Sequence, residues 1–169
     1  MSPTVYLAGP EVFMANAVEL GAAKVRICRE HGLDAIFPFG PDPEGATVGE
    51  IGHRIFERCV EFMDQCDVAI ANMTPFRGVS MDVGTAIEMG YMLARGRPVF
   101  GYTNVVDDLE HRVAEDGMAI EQFGFVDNLM CEGVVWRSGG TVVRTPVSEP
   151  DRLTDLRGFT ACVEQAARH

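Results

Sequence analysis

Short apolar runs alternate along the chain with longer stretches in which apolar residues recur at helical spacing. The runs span residues 5–8, 34–39, 67–72 and 97–102. Continuous apolar centres of this kind are typical of parallel strands that are buried on both faces. The periodic stretches span residues 11–31, 50–65 and 82–95. They predict three helices, and Gly32 and Gly96 are typical helix-ending residues after the first and the third.

The periodicity also predicts which faces of the first two helices are buried. On the first helix the apolar face consists of Val18, Ala22, Val25 and Cys28. On the second helix it consists of Ile51, Ile55, Cys59 and Phe62. Between these helices, Pro38 predicts either an edge position for the second strand or the point where that strand ends.

The rest of the chain is less regular. Loops rich in Gly and Pro are predicted at 40–49, and a polar loop at 74–81. Residues 104–125 favour a short helix and a flap, residues 129–136 a last strand, and residues 150–168 a terminal helix capped near Ser148 or Asp151. Because strands alternate with helices, we expect a single domain over residues 1–169, an α/β fold with a doubly wound parallel sheet flanked by helices.

Charge and composition narrow the class of protein. The 169 residues carry 25 Asp and Glu against 14 Lys and Arg, a net charge of -11, which disfavours nucleic acid and anionic membranes as partners. We expect no signal peptide, because the first residues contain no basic segment. The cysteines lack CxxC spacing and the histidines are far apart, so we expect reduced thiols, a cytoplasmic location and no metal site.

Two carboxylates stand out at the start of the third predicted helix. Asp82 and Glu88 follow a buried strand and the loop TPFRG, the place where open α/β sheets bind their ligands. A pair of this kind can perform nucleophilic and acid–base chemistry at a glycosidic carbon. On one regular helix a spacing of six would place them about 120° apart, so they converge only if Asp82 belongs to the loop. The alternative is that Asp82 is a helix cap and Glu88 is solvated.

Other polar positions have both a functional and a structural interpretation. Gly84 and Thr85 could bind an anion or sugar hydroxyls at a helix N-terminus, or Gly84 could let the helix pack closely on the sheet. Tyr6 could orient a carboxylate or be a half-buried strand residue. Asn128 alone is typical of a turn. No GxGxxG follows the first strand, where Pro10 removes a backbone donor, which argues against a dinucleotide site.

Four segments in order resemble the nucleoside 2-deoxyribosyltransferase family. They are VYLAGPEVF, CDVAIANMTPFRG, DVGTAIEMGYMLARGRPV and FGFVDNLM, and together they run from Val5 to Met130. The resemblance implies a flavodoxin-like sheet, nucleosides and free nucleobases as substrates, and no cofactor. It also implies a double displacement at C1′ through a covalent 2-deoxyribosyl-enzyme, with retention of configuration.

The matching positions imply the roles of individual residues. Glu88 corresponds to the nucleophile, Asp82 to an acidic residue near the base that carries a proton, and Tyr6 to the tyrosine that positions the nucleophile. Asn128 corresponds to an asparagine that reaches the sugar 5′-hydroxyl in a neighbouring subunit, which implies a homo-oligomer with shared active sites. The substrate-binding set that follows from these segments is Ala8, Gly9, Gly84, Asn128 and Met130.

Cys59 departs from the family pattern, and other readings compete. The family often has an acidic or amide residue near position 59, and Glu57 or Asp64 could substitute for it.

An N-glycoside hydrolase of nucleosides or nucleoside monophosphates would use the same Glu88 with water. A phosphoribohydrolase with GGxGTxxE is disfavoured, because Asp82 and Val83 replace the Gly pair. A non-catalytic nucleoside sensor would not need the set of Tyr6, Asp82 and Glu88.

Overall fold

The computed structural model describes residues 2–41 and 47–169. Five parallel strands form one sheet in the order β2-β1-β3-β4-β5, which is the flavodoxin-like order of a doubly wound sheet. The strands are β1 (Thr4–Ala8), β2 (Asp34–Ile36), β3 (Val68–Asn72), β4 (Val99–Thr103) and β5 (Val143–Arg144). The prediction of a doubly wound parallel sheet is therefore confirmed, with β2 at an edge and ending before Pro38.

The described residues form six α-helices, five of which pack on the two faces of the sheet. They are α1 (Ala17–Glu30), α2 (Val48–Asp64), α3 (Val83–Ala94), α4 (Leu109–Arg112), α5 (Leu129–Arg137) and α6 (Arg157–Ala166). Apolar side chains of α2, α3 and α5 pack on one face of the sheet, and those of α1 and α6 pack on the other. Strand residues alternate between the two cores, so that Tyr6 and Ala8 face α2, α3 and α5.

The first predicted helix is interrupted. Residues Pro10–Phe13 form a short 3-10 helix, Met14 is extended, and α1 begins only at Ala17. The predicted inward face was also wrong in part, since Val18 is 63% exposed while Lys24 is buried. The reason is tertiary, because the buried Lys24 ammonium pairs with Glu11 and turns that side of α1 inward.

Two predictions in the second half of the chain were wrong. Residues 129–136 are not a strand but belong to α5, which begins where the Asn128 side chain accepts a hydrogen bond from the backbone N–H of Met130. A short apolar run does not distinguish a strand from a buried helix. The last strand is β5, which pairs with β4.

The terminal helix is shorter than predicted. Residues Asp151–Leu153 form a 3-10 helix, and α6 begins at Arg157. Neither Ser148 nor Asp151 caps α6; instead the Asp155 carboxylate accepts a hydrogen bond from the Arg157 N–H. The Asn104 amide donates to the carbonyl oxygens of Arg152 and Asp155, which holds this segment against the end of β4 instead of in a continuous helix.

The remaining elements agree with the prediction. The 82–95 stretch is α3, the 50–65 stretch is α2, and the short helix in 104–125 is α4. The first turn of α2 is a capping box between Thr47 and Glu50. Part of the predicted loop at 40–49 lies outside the described residues. Within the described part of the chain, no helix has the length and hydrophobicity of a membrane span.

Candidate active site

A short hydrogen bond joins the middle of the sheet to α3. The hydroxyl of Tyr6, on β1, donates to Glu88 Oε1 at 2.6 Å, although the two residues are 82 positions apart in sequence. Tyr6 points to the α3 face of the sheet and is fully buried. Glu88 lies on the second turn of α3 and is half-buried. Strand alternation and the inward face of α3 thus bring the two polar groups together.

Burial changes the acidity of both groups. Desolvation, opposed by the Tyr6 hydrogen bond and assisted by the nearby Asp82 charge, raises the pKa of Glu88 to about 7. Desolvation and the adjacent Glu88 carboxylate raise the pKa of Tyr6 well above its usual range. Tyr6 is therefore a donor at every physiological pH, and Glu88 is divided between its acid and its carboxylate forms near neutrality.

Asp82 is both a helix cap and a wall of the site. Its carboxylate accepts hydrogen bonds from the Thr85 N–H at 2.9 Å and from the Thr85 hydroxyl at 3.0 Å. Because Asp82 has extended backbone dihedrals before α3 begins, it escapes the helical spacing that would separate it from Glu88. Gly84 is exposed, and a Cβ there would approach Asp82 Oδ2 and no strand atom. Close packing on the sheet does not explain that glycine.

These residues surround a cavity of about 290 Å³. Its described lining comes from the turn after β1, the segment after β2, one face of α2 and the start of α3: Gly9, Val12, Phe13, Pro38, Phe39, Gly40, Ile55, Arg58, Cys59, Asp82, Gly84, Thr85 and Glu88. The cavity thus lies outside the carboxyl ends of β1 and β3, where a change of strand order opens a crevice. Apolar walls and two carboxylates suit a small ligand with a flat ring and hydroxyl groups.

The α2 wall presents Ile55, Arg58 and Cys59, which share one face at i, i+3 and i+4. The Cys59 thiol lies next to the Tyr6 hydroxyl and the Glu88 carboxylate, and burial together with the Glu88 charge raises its pKa. Cys59, at the position where the resemblance implies an acidic or amide residue, therefore lies within the site. Glu57 and Asp64 do not line the cavity, and Asp64 pairs with Arg95 and Tyr91 instead.

A buried polar cluster lies beneath the turn after β1. Glu11 Oε1 accepts hydrogen bonds from the Lys24 ammonium, from Asn72 Nδ2 at 2.9 Å and from the Tyr102 hydroxyl at 2.9 Å. Glu11 Oε2 lies so close to Gly9 that a Cβ at that position would come within 2.0 Å of it. Only glycine leaves room for the Glu11 carboxylate at position 9. The close contact between Gly9 and Glu11 shapes the floor of the cavity.

The structure does not bring all the predicted site residues together. Tyr6, Gly9, Asp82, Gly84 and Glu88 line or adjoin the cavity, and Ala8 ends β1 in the core beneath it. The two remaining residues, Asn128 and Met130, are exposed at the start of α5 and are absent from the cavity lining.

The segment that contains Asn128 is held rigidly. The buried Asp127 carboxylate accepts hydrogen bonds from the Ser80 hydroxyl and from the Met81 N–H, the latter at 2.7 Å. Asn128 Nδ2 donates to Glu121 at 2.7 Å. These contacts fix the position of Asn128 on the surface next to the loop that precedes Asp82.

Sequence reasoning missed three features of the site. Arg58 and Phe13 line the cavity, and Glu11 supports its floor. Arg58 is the neighbour of Cys59, which lies on the predicted apolar face of the second helix. That position could have indicated Arg58 as a residue of the cavity. Nothing in the local pattern reveals the partners of Glu11, which lie 13 to 91 residues away along the chain.

Potential metal ligands lie elsewhere. Among the described residues, Asp108, Glu110 and His111 bring ligand atoms within 4.8 Å of one another. Arg144 already pairs with Asp108 at 2.5 Å, and none of the three residues lines the cavity. The group is therefore part of a surface ion-pair arrangement next to α4.

Comparison with known proteins identifies relatives of this architecture. The family model described as Nucleoside 2-deoxyribosyltransferase matches residues 5–130. Uncharacterized protein C191.05c of Schizosaccharomyces pombe is 35% identical over 169 aligned residues, which cover 83% of this chain and 80% of that protein.

Solved structures share the fold. The 2-desoxiribosyltransferase from Leishmania mexicana superposes with a TM-score of 0.69 at 23% identity, covering 99% of this chain and 98% of the other. A 2-deoxyribosyltransferase from Bacillus psychrosaccharolyticus gives 0.53 at 21% identity, covering 78% and 82%. A conserved protein from Enterococcus faecalis V583 gives 0.55 at 20% identity, covering 98% and 99%.

Proposed function

Since the chain belongs to the nucleoside 2-deoxyribosyltransferase family, we propose that it transfers the 2-deoxyribosyl group between nucleobases through a covalent glycosyl-enzyme on Glu88. The family match makes the protein a pentosyltransferase that acts on nucleosides and nucleobases. The finer proposal concerns the nucleophile, the proton carrier, the retained configuration and the sharing of sites between subunits.

The observation that carries this proposal is the hydrogen bond from the Tyr6 hydroxyl to Glu88 Oε1 at 2.6 Å beside the cavity. It holds one carboxylate oxygen and leaves Oε2 to attack. A fixed and partly desolvated carboxylate is the arrangement that a double displacement at an anomeric carbon requires. With a pKa of about 7, a large share of Glu88 is ionised at neutral pH and is a stronger nucleophile than an ordinary carboxylate.

In the first step, Glu88 Oε2 attacks C1′ as the bond from C1′ to the base nitrogen breaks. The electron pair of that bond goes to the base, which takes up a proton carried by Asp82. Because a 2-deoxy sugar lacks an electron-withdrawing 2′-hydroxyl, an oxocarbenium-like transition state forms readily, and this pair of carboxyl groups suffices. Positioned proton transfer to a leaving group contributes about 100- to 10,000-fold.

In the second step, a nitrogen of another base attacks C1′ and the ester bond to Glu88 breaks. The incoming base loses its proton to the Asp82 carboxylate, which restores the starting enzyme. Two inversions at C1′ give net retention. Gly84 and the N-terminus of α3 would meet the sugar hydroxyls, and the exposed ring of Phe13 offers a face on which a base can stack.

Asn128 is proposed to complete the site of a neighbouring subunit at the sugar 5′-hydroxyl. Its exposed position outside the cavity of its own chain supports a role between subunits. The protein would then be a homo-oligomer. A cytoplasmic location and a role in nucleoside salvage complete the proposal.

The decisive experiment follows exchange and adduct formation together. Protein is mixed with 2′-deoxyinosine and adenine, products are separated by chromatography, and the intact protein mass is recorded after incubation with 2′-deoxyinosine alone. The proposal predicts 2′-deoxyadenosine and a deoxyribosyl adduct, both absent from E88A and both retained in E57A, an exposed position outside the cavity. Free hypoxanthine without a new nucleoside would indicate a hydrolase instead, and a protein with neither product would leave an enzyme that acts on nucleotides or a sensor.

A further inference from the structure

Arg58 is the one cation among the described residues that line the cavity. It extends from α2, one residue before Cys59, whereas both carboxylates of the site belong to the start and second turn of α3. Partial burial of a guanidinium is unfavourable unless its N–H groups make hydrogen bonds. A half-buried arginine in a cavity is therefore a candidate for contact with a ligand.

The guanidinium keeps donors to spare. Within residues 2–41 and 47–169, its hydrogen bond is from Nη1 to the Pro41 carbonyl oxygen at 3.2 Å, and its Nε–H is buried without a partner. No carboxylate of these residues lies within ion-pair distance of it. The bond to Pro41 fixes the planar group next to Gly40, which also lines the cavity. A ligand acceptor would satisfy the remaining donors.

Arg58 lies away from the reacting carboxylate. Its Nη1 binds the Pro41 carbonyl oxygen and lies 3.3 Å from the place of a Cβ at Gly40, both in the segment after β2, whereas Glu88 binds the Tyr6 hydroxyl of β1. If C1′ lies at Glu88, the base extends from that carbon toward the part of the cavity beyond Cys59. Arg58 therefore faces the distal edge of the base and not the sugar.

We infer that Arg58 is a specificity residue that selects 6-oxopurine bases, hypoxanthine and guanine, over adenine; this inference rests on the proposed function. A guanidinium has donors only, and its fork matches two adjacent acceptors. In hypoxanthine and guanine, O6 and N7 are such a pair, whereas adenine places an amino donor beside N7. Uracil and thymine interpose an N–H between their carbonyl oxygens and so offer one acceptor at a time.

The orientation has a consequence for the proton carrier. With O6 and N7 on Arg58, the purine N3 lies on the sugar side of the ring. Asp82, which lines the same cavity near Glu88, would then exchange its proton at that side. The two functions, selection of the base and protonation of the leaving group, are thus assigned to different edges of the base.

Direct binding of free bases tests this inference without turnover. Hypoxanthine, adenine and 7-deazahypoxanthine, which keeps O6 and lacks N7, are titrated calorimetrically into wild-type protein, R58Q and R54Q. Arg54 is an exposed arginine on the same helix outside the cavity, which makes R54Q the matched control. We expect hypoxanthine to bind wild type and R54Q about 10- to 100-fold more tightly than the other two bases, and R58Q to lose this preference.

Equal binding of the three bases by wild type, or an unchanged preference in R58Q, would overturn the inference. Inorganic phosphate that displaces hypoxanthine from wild type but not from R58Q would also overturn it, because Arg58 would then be a phosphate site. Loss of the proposed function has a separate signature. In that case base binding would follow the expected pattern while exchange from 2′-deoxyinosine to guanine, a favoured acceptor, yields no 2′-deoxyguanosine.

Discussion

The hydroxyl of Tyr6 and the carboxylate of Glu88 form a hydrogen bond of 2.6 Å across an interface between β1 and α3. The pair is shielded on one side by the core and open on the other to the cavity. Tyr6 is the group that offsets part of the desolvation of Glu88, since its hydrogen bond lowers a pKa that burial raises. The same hydrogen bond therefore fixes the position of the Glu88 carboxylate and influences its state of ionisation.

Y6F is expected to move the acid limb of the pH–rate profile to higher pH. Without the Tyr6 donor, the pKa of Glu88 rises above about 7, and a lost bond to a charged group of about 1.5–3 kcal/mol corresponds to roughly one to two pH units. Turnover at pH 7 should fall about 10- to 100-fold and recover in part at pH 9. Y91F, which removes an exposed hydroxyl bound to Asp64, is the control; a parallel drop at every pH in Y6F would contradict this account.

E88Q is expected to abolish exchange and to change how stability depends on pH. The folded pKa of Glu88 is raised from 4.5 to about 7, so its contribution to stability is fully present below the unfolded pKa and is lost as pH rises through about 7. E88Q should therefore gain stability relative to wild type at pH 8, by at most about 3 kcal/mol, and little at pH 4. Urea denaturation at both pH values measures this, with E57Q as the surface control.

Mixing E88A with N128A at a 2′-deoxyinosine concentration well below the KM of N128A tests whether the sites are shared between subunits. E88A lacks the proposed nucleophile and N128A lacks the amide proposed to bind the 5′-hydroxyl, so in each mixed pair of subunits one site would be intact and the other doubly altered. After joint refolding, roughly a quarter of wild-type activity is expected from statistical pairing. Activity no higher than the sum of the separate variants would place Asn128 in the site of its own chain or outside any site.

N128A also removes a helix cap, which must be separated from substrate binding. The side-chain Oδ1 of Asn128 accepts a hydrogen bond from the Met130 N–H at the start of α5, so N128A should lose about 1 kcal/mol of stability. N128S keeps a capping oxygen and removes the amide donor without placing a second carboxylate beside Glu121. Raised KM for 2′-deoxyinosine in both variants, with the larger loss of thermal stability in N128A, is the expected outcome of steady-state kinetics and thermal unfolding.

K24M is expected to destabilise the protein strongly, because it leaves the fully buried Glu11 without its cation. The loss should be about 3–5 kcal/mol in urea denaturation, and E11Q combined with K24M should lose less than the sum of the two single variants. R26M breaks an exposed pair with Glu30 and should cost less than about 1 kcal/mol. Equal losses for K24M and R26M would mean that the buried cluster does not hold the floor of the cavity.

Much of this architecture follows from local pattern. Continuous apolar runs over β1, β3 and β4 and the periodicity of α2 and α3 are sufficient for a doubly wound parallel sheet, because burial on both faces requires such runs. The same reasoning locates Asp82 and Glu88 at the crevice beyond the strand ends. Tyr6 was a candidate for orienting a carboxylate, and the family resemblance implied that this carboxylate is Glu88; the structure shows a hydrogen bond between the two residues.

The tertiary structure decided what local pattern leaves open. Residues 129–136 form a helix because Asn128 caps it and because β4 is paired by β5 instead. The first helix breaks after Phe13 because Glu11 turns inward to partners on α1, β3 and β4. The cation on the cavity wall, Arg58, is one of several arginines in the sequence, and only the approach of α2 to the segment after β2 selects it. Burial and long-range pairing are properties of the folded chain, and they set both the acidity of Glu88 and the lining of the cavity.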